Sequence, residues 1–252
     1  MNTIDNSQRT AAKIAGVTGL LAVGIVVFGN YVLLSPLIVP RDAAETARNI
    51  IAHQMQARMA LICFLLYSAN VVVLLTALYV ILKPVDPILA LIGTLFRLVF
   101  AVLWLLATLN LPGALRLLGT APYLQTFHPD QVQALARLQI AANFDDYYAG
   151  LPFFGLAATI CAYLWLRSGY IPKILAVFGL VASAWCVICA FVFLVFPNFN
   201  KVVNDYIFDT PMAIFELVVS LWLLFKGLQP ARTPTKFNRV TNLHHHTFPI
   251  FL

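Results

Sequence analysis

The sequence predicts an all-α fold: a bundle of six transmembrane helices with two amphipathic helices on the non-cytoplasmic side. Of the 252 residues, 61% are hydrophobic and only 10% are charged. An average soluble domain is roughly 45–50% apolar and about 25% charged. Six stretches reach or approach the roughly 18–20 apolar residues that cross a bilayer, and none alternates as barrel strands do. Soluble, disordered and disulfide-scaffold proteins are therefore excluded.

The chain divides into one transmembrane domain, residues 1–228, and a basic, loosely ordered tail, residues 229–252. The apolar core of the first span is longer than the roughly 7–15 residues of a signal peptide, so we expect a retained span. The predicted spans cover about residues 14–34, 59–82, 88–111, 147–166, 174–196 and 211–225.

Two long connections carry the amphipathic helices. Asp42 followed by Glu45 has the form of a capping box, and a helical apolar pattern follows Pro129. Each helix either lies at the interface or lengthens the span that follows. The segments 79–93 and 163–179 also resemble each other, which either indicates a repeated hairpin unit or reflects the basic, proline-containing turns common to membrane hairpins.

Basic residues indicate the orientation. The side with both termini and the two short turns holds nine Lys and Arg residues against two acidic ones. The opposite side holds six basic and seven acidic residues. By the positive-inside rule, both termini are expected in the cytoplasm. The basic excess is explained by topology and membrane lipids, and no nucleic-acid partner is expected.

The residues and motifs that several known membrane activities require are missing from the sequence. No predicted span contains Lys or His, which argues against a retinal Schiff base or a bis-histidine haem in the bundle. No nucleotide-binding or hydrolase motif is present. The adjacent His244, His245 and His246 make a poor fixed metal site. We therefore expect no cofactor and no metal.

Arg97 lies about ten residues into the third span, roughly 15 Å deep. An arginine near the bilayer centre costs on the order of 2.5–3.5 kcal/mol, so it should face the bundle and find a partner. Glu216 is the carboxylate at suitable depth, and we predict that the two pair. Either the pair is a structural contact that fixes helix register, or it belongs to a polar pocket or proton relay.

Other polar residues are predicted in the same half of the membrane. Asp145 and Asp146 open the fourth span, where carboxylates cap a helix, and a tyrosine there is ordinary belt placement. Alternatively, these carboxylates or Glu216 act as acid and base with His53. Candidates for the wall of a ligand pocket are Arg97, Glu216, Asn70, Asn30, Asn110, Arg58 and Tyr147.

The chain resembles a bacterial membrane family known as domain of unknown function 4386. The resemblance spans about residues 11–227, whereas residues 143–148 (NFDDYY) depart from the family pattern. It rests on residues 37–44 (LIVPRDAA), Asn49-Ile50, 84–97 (PVDPILALIGTLFR), 127–135 (FHPDQVQAL), 167–172 (RSGYIP) and 215–227 (FELVVSLWLLFKG). The resemblance implies a multi-pass protein of the bacterial cytoplasmic membrane and brings no reaction with it.

Three functions are compatible with the sequence. The first is binding of a lipid, a small amphipathic ligand or a partner subunit in a polar pocket of the non-cytoplasmic half. The second is a membrane-embedded enzyme that acts on a lipophilic substrate through carboxylate acid–base chemistry. The third is a proton-coupled transporter of small molecules in which Glu216 titrates against Arg97.

Overall fold

A computed structural model describes residues 4–39, 42–119, 122–196, 203 and 205–230. All regular structure within these ranges is helical, which confirms the all-α class. Six of the helices, all except α2, are long and apolar enough to cross a membrane. The helices are α1 (Asn6–Val27), α2 (Ala43–Ala52), α3 (Gln54–Leu82), α4 (Pro87–Leu117), α5 (Pro129–Ser168), α6 (Lys173–Val195) and α7 (Asp205–Phe225).

Several helices extend beyond the apolar stretch that predicts them. α1 begins at Asn6 because the Asp5 side chain caps it, accepting from the Gln8 N–H at 2.7 Å. At its other end α1 continues as a π-helical turn, Phe28–Leu34, and a short 3-10 turn. α7 begins at Asp205, six residues before Pro211. Hydropathy predicts only the apolar part of a helix that lies in lipid. A capped helix can extend further, into the polar residues on either side of that part.

The six long helices form a closed ring in chain order. Each packs on the next, from α1 with α3 to α6 with α7, and α7 packs back on α1. We call the end with the two short turns, at Lys83–Asp86 and Gly169–Pro172, the turn end. The opposite end, with the long connections, is the loop end. Large apolar side chains such as Leu66, Ile88 and Val181 are exposed on the outer faces, as lipid contact requires.

The two amphipathic helices differ in form. α2 is a separate helix whose N-terminus is capped by Asp42, and it packs on α5. Its Thr46 hydroxyl accepts from the Val39 N–H at 3.0 Å, which ties α2 to the segment before it. The second amphipathic stretch is the first part of the 40-residue α5 and lengthens the fourth span. The proposed hairpin repeat stays a prediction. The tail from residue 231, including His244–His246, lies outside the described residues.

Hydrogen bonds tie the turn end together. The buried Gln8 side chain of α1 donates to the Ile81 carbonyl and to the Tyr170 hydroxyl, both at 3.2 Å. The Gln229 N–H donates to the Tyr170 carbonyl at 2.8 Å. Arg167 contacts the Asp86 carboxylate at 2.9 Å. These contacts join the two turns to α1 and to the segment after α7.

α1 and α7 touch closely at this end. A Cβ atom on Gly16 would lie 2.8 Å from the Leu224 backbone nitrogen, and one on Gly19 would overlap the Ser220 side chain. Only glycine permits so short a distance between the two helix axes. Towards the loop end, α1 lies against α3: a Cβ on Gly29 would meet the Phe64 ring at 2.8 Å.

Candidate functional site

A chain of three cavities runs inside the ring of helices. The outer chamber, at the loop end, has a volume of about 350 Å³ and is lined by Asn30, Asn143 and Phe208 among others. The middle chamber, of about 270 Å³, shares Tyr31, Trp104, Tyr147 and Asp209 with it. The inner chamber, of about 70 Å³, lies towards the turn end and shares Ala22, Met212 and Glu216 with the middle one.

The middle chamber opens sideways between α1 and α7. Three of its lining residues are also exposed on the outside of the bundle: Val27 (47%) at the end of α1, Tyr31 (43%) in the π-helical turn that follows, and Thr210 on α7. Its walls on α3, α4 and α5, such as Tyr67 and Phe154, are buried or half-buried. These exposed residues place the side of the chamber that faces the surroundings of the bundle between the end of α1 and the start of α7.

The ion pair predicted between Arg97 and Glu216 is present. Arg97 Nη2 donates to Glu216 Oε1 at 2.8 Å, joining α4 to α7 across the ring. The Arg97 side chain is 10% exposed and that of Glu216 is 28% exposed. The guanidinium carbon also lies 4.0 Å from the centre of the Phe154 ring. Arg97 is thus held between a carboxylate and an aromatic face, at the boundary of the middle and inner chambers.

An aromatic cluster centred on Trp104 forms the wall above the ion pair. The indole lies 4.7 Å from the Tyr67 ring and 5.5 Å from the Tyr147 ring, with Phe64 and Phe100 at 5.7 and 6.0 Å. The contacts with Phe64 and Tyr147 are edge-to-face, a geometry that stabilises the arrangement beyond the area it buries. The cluster joins α3, α4 and α5 and gives both larger chambers a rigid aromatic surface.

Two buried donors in this wall have no oxygen or nitrogen acceptor within the described part of the chain: Arg97 Nε and Trp104 Nε1. Trp104 is 7% exposed and lines both larger chambers. Its ring is edge-on to the Phe64 and Tyr147 rings, at 86° and 81°. Buried donors are normally satisfied. A buried donor without an acceptor at the wall of a cavity can still donate a hydrogen bond to a group inside that cavity.

Asp209 is a site residue that the sequence did not point to. It lines both the outer and the middle chamber. It precedes Glu216 by seven residues, close to two helical turns, so both carboxylates lie on the same face of α7. This seven-residue spacing from Glu216 is the feature of the sequence that could have identified Asp209. The predicted sixth span began at residue 211 and left Asp209 outside.

The predicted pocket residues separate into two groups. Arg97, Glu216, Asn30 and Tyr147 line the chambers. Asn70 instead donates to the Thr18 carbonyl at 2.9 Å and ties α3 to α1. Its role is contact between helices.

The remaining predicted residues lie outside the three chambers. Asn110 donates to the Asp146 carboxylate at 2.8 Å, which joins α4 to α5. Asp145 and Arg58 are exposed, and His53 is exposed at the junction of α2 and α3. The structure therefore does not bring Asp145, Asp146 or His53 into one chamber with Glu216.

No group of three or more His, Cys, Asp or Glu side chains within the described ranges is placed to hold a metal ion. Cys186 and Cys189 are buried free thiols on α6. The described lining of the three chambers offers two carboxylates, one guanidinium, the Cys161 thiol, hydroxyl and amide groups, and aromatic rings.

Comparison with known proteins adds the family. No curated protein and no solved structure matches the chain. The sequence profile of one family, described as "domain of unknown function (DUF4386)", matches residues 14–227, which include α2 to α7 and all of α1 except its first turns. Six helices capable of crossing a bilayer agree with that match. The chain is a multi-pass membrane protein that belongs to the DUF4386 family.

Proposed function

We propose that this protein binds a lipid or another amphipathic ligand in its outer and middle chambers and admits it from the bilayer between α1 and α7. The observation that carries the proposal is the lateral gap. Val27, Tyr31 and Thr210 line the middle chamber and are exposed on the outside of the bundle. An acyl chain in the membrane therefore has a direct route to the interior.

The size and lining of the chambers support this proposal. Ligand pockets are mostly apolar clefts of about 300–1,000 Å³ with a few placed polar groups. The outer and middle chambers, at about 350 and 270 Å³, adjoin through shared walls and are mainly aromatic and aliphatic. Asn30, Asn143, Asp209 and Glu216 supply the polar groups. A molecule with an apolar chain and a polar head matches such a lining.

The closed turn end favours binding over passage through the bundle. The inner chamber is small, at about 70 Å³, and Gln8, Ile81 and Tyr170 are hydrogen-bonded beyond it. We place the turn end in the cytoplasm of a bacterial cell, since the basic residues concentrate there. The ligand then comes from the outer half of the cytoplasmic membrane.

The experiment is native mass spectrometry of the protein released from membranes, with bound lipids identified. We expect a defined ligand on the wild-type protein and its loss in Thr210→Trp, because the indole fills the gap. Val218→Trp is the matched control: Val218 is also exposed on α7 but does not line the middle chamber. Equal ligand occupancy in both variants, or no retained ligand in the wild type, contradicts the proposal.

One observation favours an enzyme as a second candidate. Asp209 and Glu216 line the same chamber, and paired carboxylates are a common acid–base arrangement. Their α-carbons lie about 10 Å apart along α7 at 1.5 Å per residue, so they would flank a substrate. Conversion of the copurified ligand by the wild type, and its absence in Asp209→Asn, would establish this candidate. A ligand recovered unchanged after incubation favours binding alone.

A further inference from the structure

We infer that the ligand carries an uncharged carbonyl group, as an ester or a ketone does, and that this group accepts a hydrogen bond from the indole N–H of Trp104. The inference rests on the proposed function and names the ligand class of the same site. It depends on the buried donors that the fold leaves unmatched, on their positions along α4, and on the charge balance beside them.

The unmatched buried polar atoms at the chamber walls are N–H donors. Within the described part of the chain, Arg97 Nε and Trp104 Nε1 lie at these walls without an acceptor. The two residues are seven apart on α4, close to two helical turns, so they share one face of the helix. A buried donor that stays unsatisfied costs its full desolvation free energy. A ligand that supplies an acceptor recovers this cost, whereas a hydrocarbon or an ammonium group does not.

Trp104 is the donor that an amphiphile can reach. It lines both the middle and the outer chamber and is 7% exposed. Arg97 instead lines the inner chamber, whose volume of about 70 Å³ is small for an amphiphile. A water molecule needs only about 10–15 Å³, so water can satisfy Arg97 Nε there. The acceptor of an amphiphilic ligand therefore belongs to Trp104 Nε1.

The charges beside this wall favour an uncharged acceptor. The Arg97 guanidinium already donates to Glu216 at 2.8 Å, so its positive charge is balanced within the protein. The indole N–H of Trp104 is itself an uncharged donor. A carboxylate or phosphate head would lose its hydration here without gaining a counter-charge from Arg97, which is costly. An ester or ketone oxygen has far less hydration to lose.

The residues around Trp104 suit both a carbonyl group and an alkyl chain. The rings of Tyr67 on α3 and Tyr147 on α5 lie 4.7 and 5.5 Å from the indole and line the same chamber. A carbonyl oxygen has two lone pairs, and a tyrosine hydroxyl is a suitable donor to the second. Val26 and Leu151 line this chamber as well and provide apolar contact for a chain.

The first test observes the indole N–H groups directly by NMR. The chain has four tryptophans, so ¹⁵N-indole labelling gives four resonances, which variants with one tryptophan replaced by phenylalanine assign. The full chain is delipidated in dodecyl maltoside, a detergent without a carbonyl group. Methyl decanoate and undecan-2-one should move the Trp104 proton downfield, because it gains a hydrogen bond. The probe that binds more tightly identifies the head as an ester or a ketone.

Trp222 is the internal control of this experiment. Its Nε1 is also buried without an acceptor among the described residues, but Trp222 does not line any of the three chambers. Its resonance should stay in place when the carbonyl probes are added. A common shift of both resonances would reveal an effect of the probes on the micelle and would contradict the assignment to Trp104.

The second test compares methyl decanoate with decyl methyl ether, which has the same length and lacks only the carbonyl oxygen. Binding of the radiolabelled probes is measured on immobilised protein, with protein-free beads as the blank. We expect the wild type to bind the ester about tenfold more tightly than the ether, the change expected from one net hydrogen bond to a buried donor. Trp104→Phe should bind both probes equally, and Trp222→Phe, the matched control, should keep the preference.

The outcomes separate the two proposals. Equal binding of ester and ether by the wild type overturns the carbonyl class and leaves the proposed function standing. A Trp104 proton that resonates upfield and is unmoved by the carbonyl probes also overturns it, because its N–H then points at the Phe64 or Tyr147 ring. Failure of every probe to bind contradicts both proposals. These wild-type results decide the question even if Trp104→Phe does not fold.

Discussion

The two ends of the helix ring are built from side chains of different size. At the turn end, small residues let the helices touch, as at Gly16 and Gly19 against α7. At the loop end, aromatic rings lie between α5, α6 and α7: Tyr148 packs on Phe193, and Phe193 on Phe208, at 5.6 and 5.3 Å. The inner chamber measures about 70 Å³ and the outer one about 350 Å³. One ring of helices therefore has a tight end and a wide end.

The difference shows how a membrane protein forms a cavity without losing its fold. Helices in lipid associate through close packing and hydrogen bonds, because lipid is as apolar as their side chains. The turn end supplies that association. The loop end is then free to hold its helices apart with large, rigid rings, which leave space between them. The Arg97–Glu216 pair lies at the boundary of the two regions.

The largest effect is expected from removing one member of this pair. Glu216→Gln leaves the Arg97 guanidinium buried without its counter-charge, and breaking a buried pair costs about 3–5 kcal/mol. Because the Glu216 side chain is 28% exposed, we expect the lower end, about 3 kcal/mol. Thermal unfolding in detergent measures the loss. Glu45→Gln, which breaks the exposed Glu45–Arg48 pair, is the control and should leave melting unchanged.

A double variant sharpens this prediction. Arg97→Gln combined with Glu216→Gln removes both charges and should recover part of the lost stability. Melting of Glu216→Gln at the wild-type temperature would show that the two ends of the ring are held together by other contacts.

A somewhat smaller effect is expected at the tight end. Gly16→Leu places side-chain atoms against the Leu224 and Ser220 backbones, which cannot move aside, so we expect a loss of about 2–3 kcal/mol. Gly24→Leu is the control on the same helix, because a Cβ there meets nothing within 4 Å. Both variants gain the same helix propensity, so the difference between their unfolding temperatures reports packing alone. Equal temperatures would contradict the close α1–α7 contact.

The smallest effect concerns the cap of α4 at the turn end. The Leu89 N–H, donating to Asp86 at 3.1 Å, lowers the pKa of this carboxyl below its ordinary 3.8, and Arg167 adds to the shift. Because the folded pKa is depressed, the stabilisation is present above the ordinary value and is lost as pH falls through the folded pKa. Melting between about pH 6 and about pH 3 should therefore decline less in Asp86→Asn than in the wild type.

Ligand binding at the loop end provides the check on this last prediction. Asp86 lies at the opposite end of the ring, so binding by Asp86→Asn at neutral pH should equal that of the wild type. Altered binding would mean that the two ends are coupled.

The features that depend on depth in the membrane were predictable from the sequence. The cost of burying Arg97 requires a partner, and Glu216 was the carboxylate at the right depth. Hydropathy likewise gave the six long helices. Depth does not say which way a side chain faces around its helix, however. Asn70 and Asn110 lie at a suitable depth but point to neighbouring helices, and their amides are used in contacts there.

The cavity itself was not predictable, for the same reason. Aromatic residues within an apolar span are normally core or lipid-facing, so Trp104 and Tyr67 carried no signal in the sequence. Their cluster exists because α3, α4 and α5 meet at one level, which is a tertiary property. His53 and Asp145 were grouped with Glu216 by depth alone, and the fold leaves both exposed.

The lateral gap is bordered by Tyr31, which lies in the π-helical turn Phe28–Leu34. A π turn holds one residue more than an α turn of the same reach. Conversion of this segment to α geometry would rotate all that follows by about 100° around the helix axis. Tyr31 and the segment from Ser35 to Val39 would turn with it. Val39 donates its N–H to the Thr46 hydroxyl of α2, so α2 is tied to this segment. A change in this one π-helical segment would therefore move both the side of the middle chamber at Tyr31 and the start of α2.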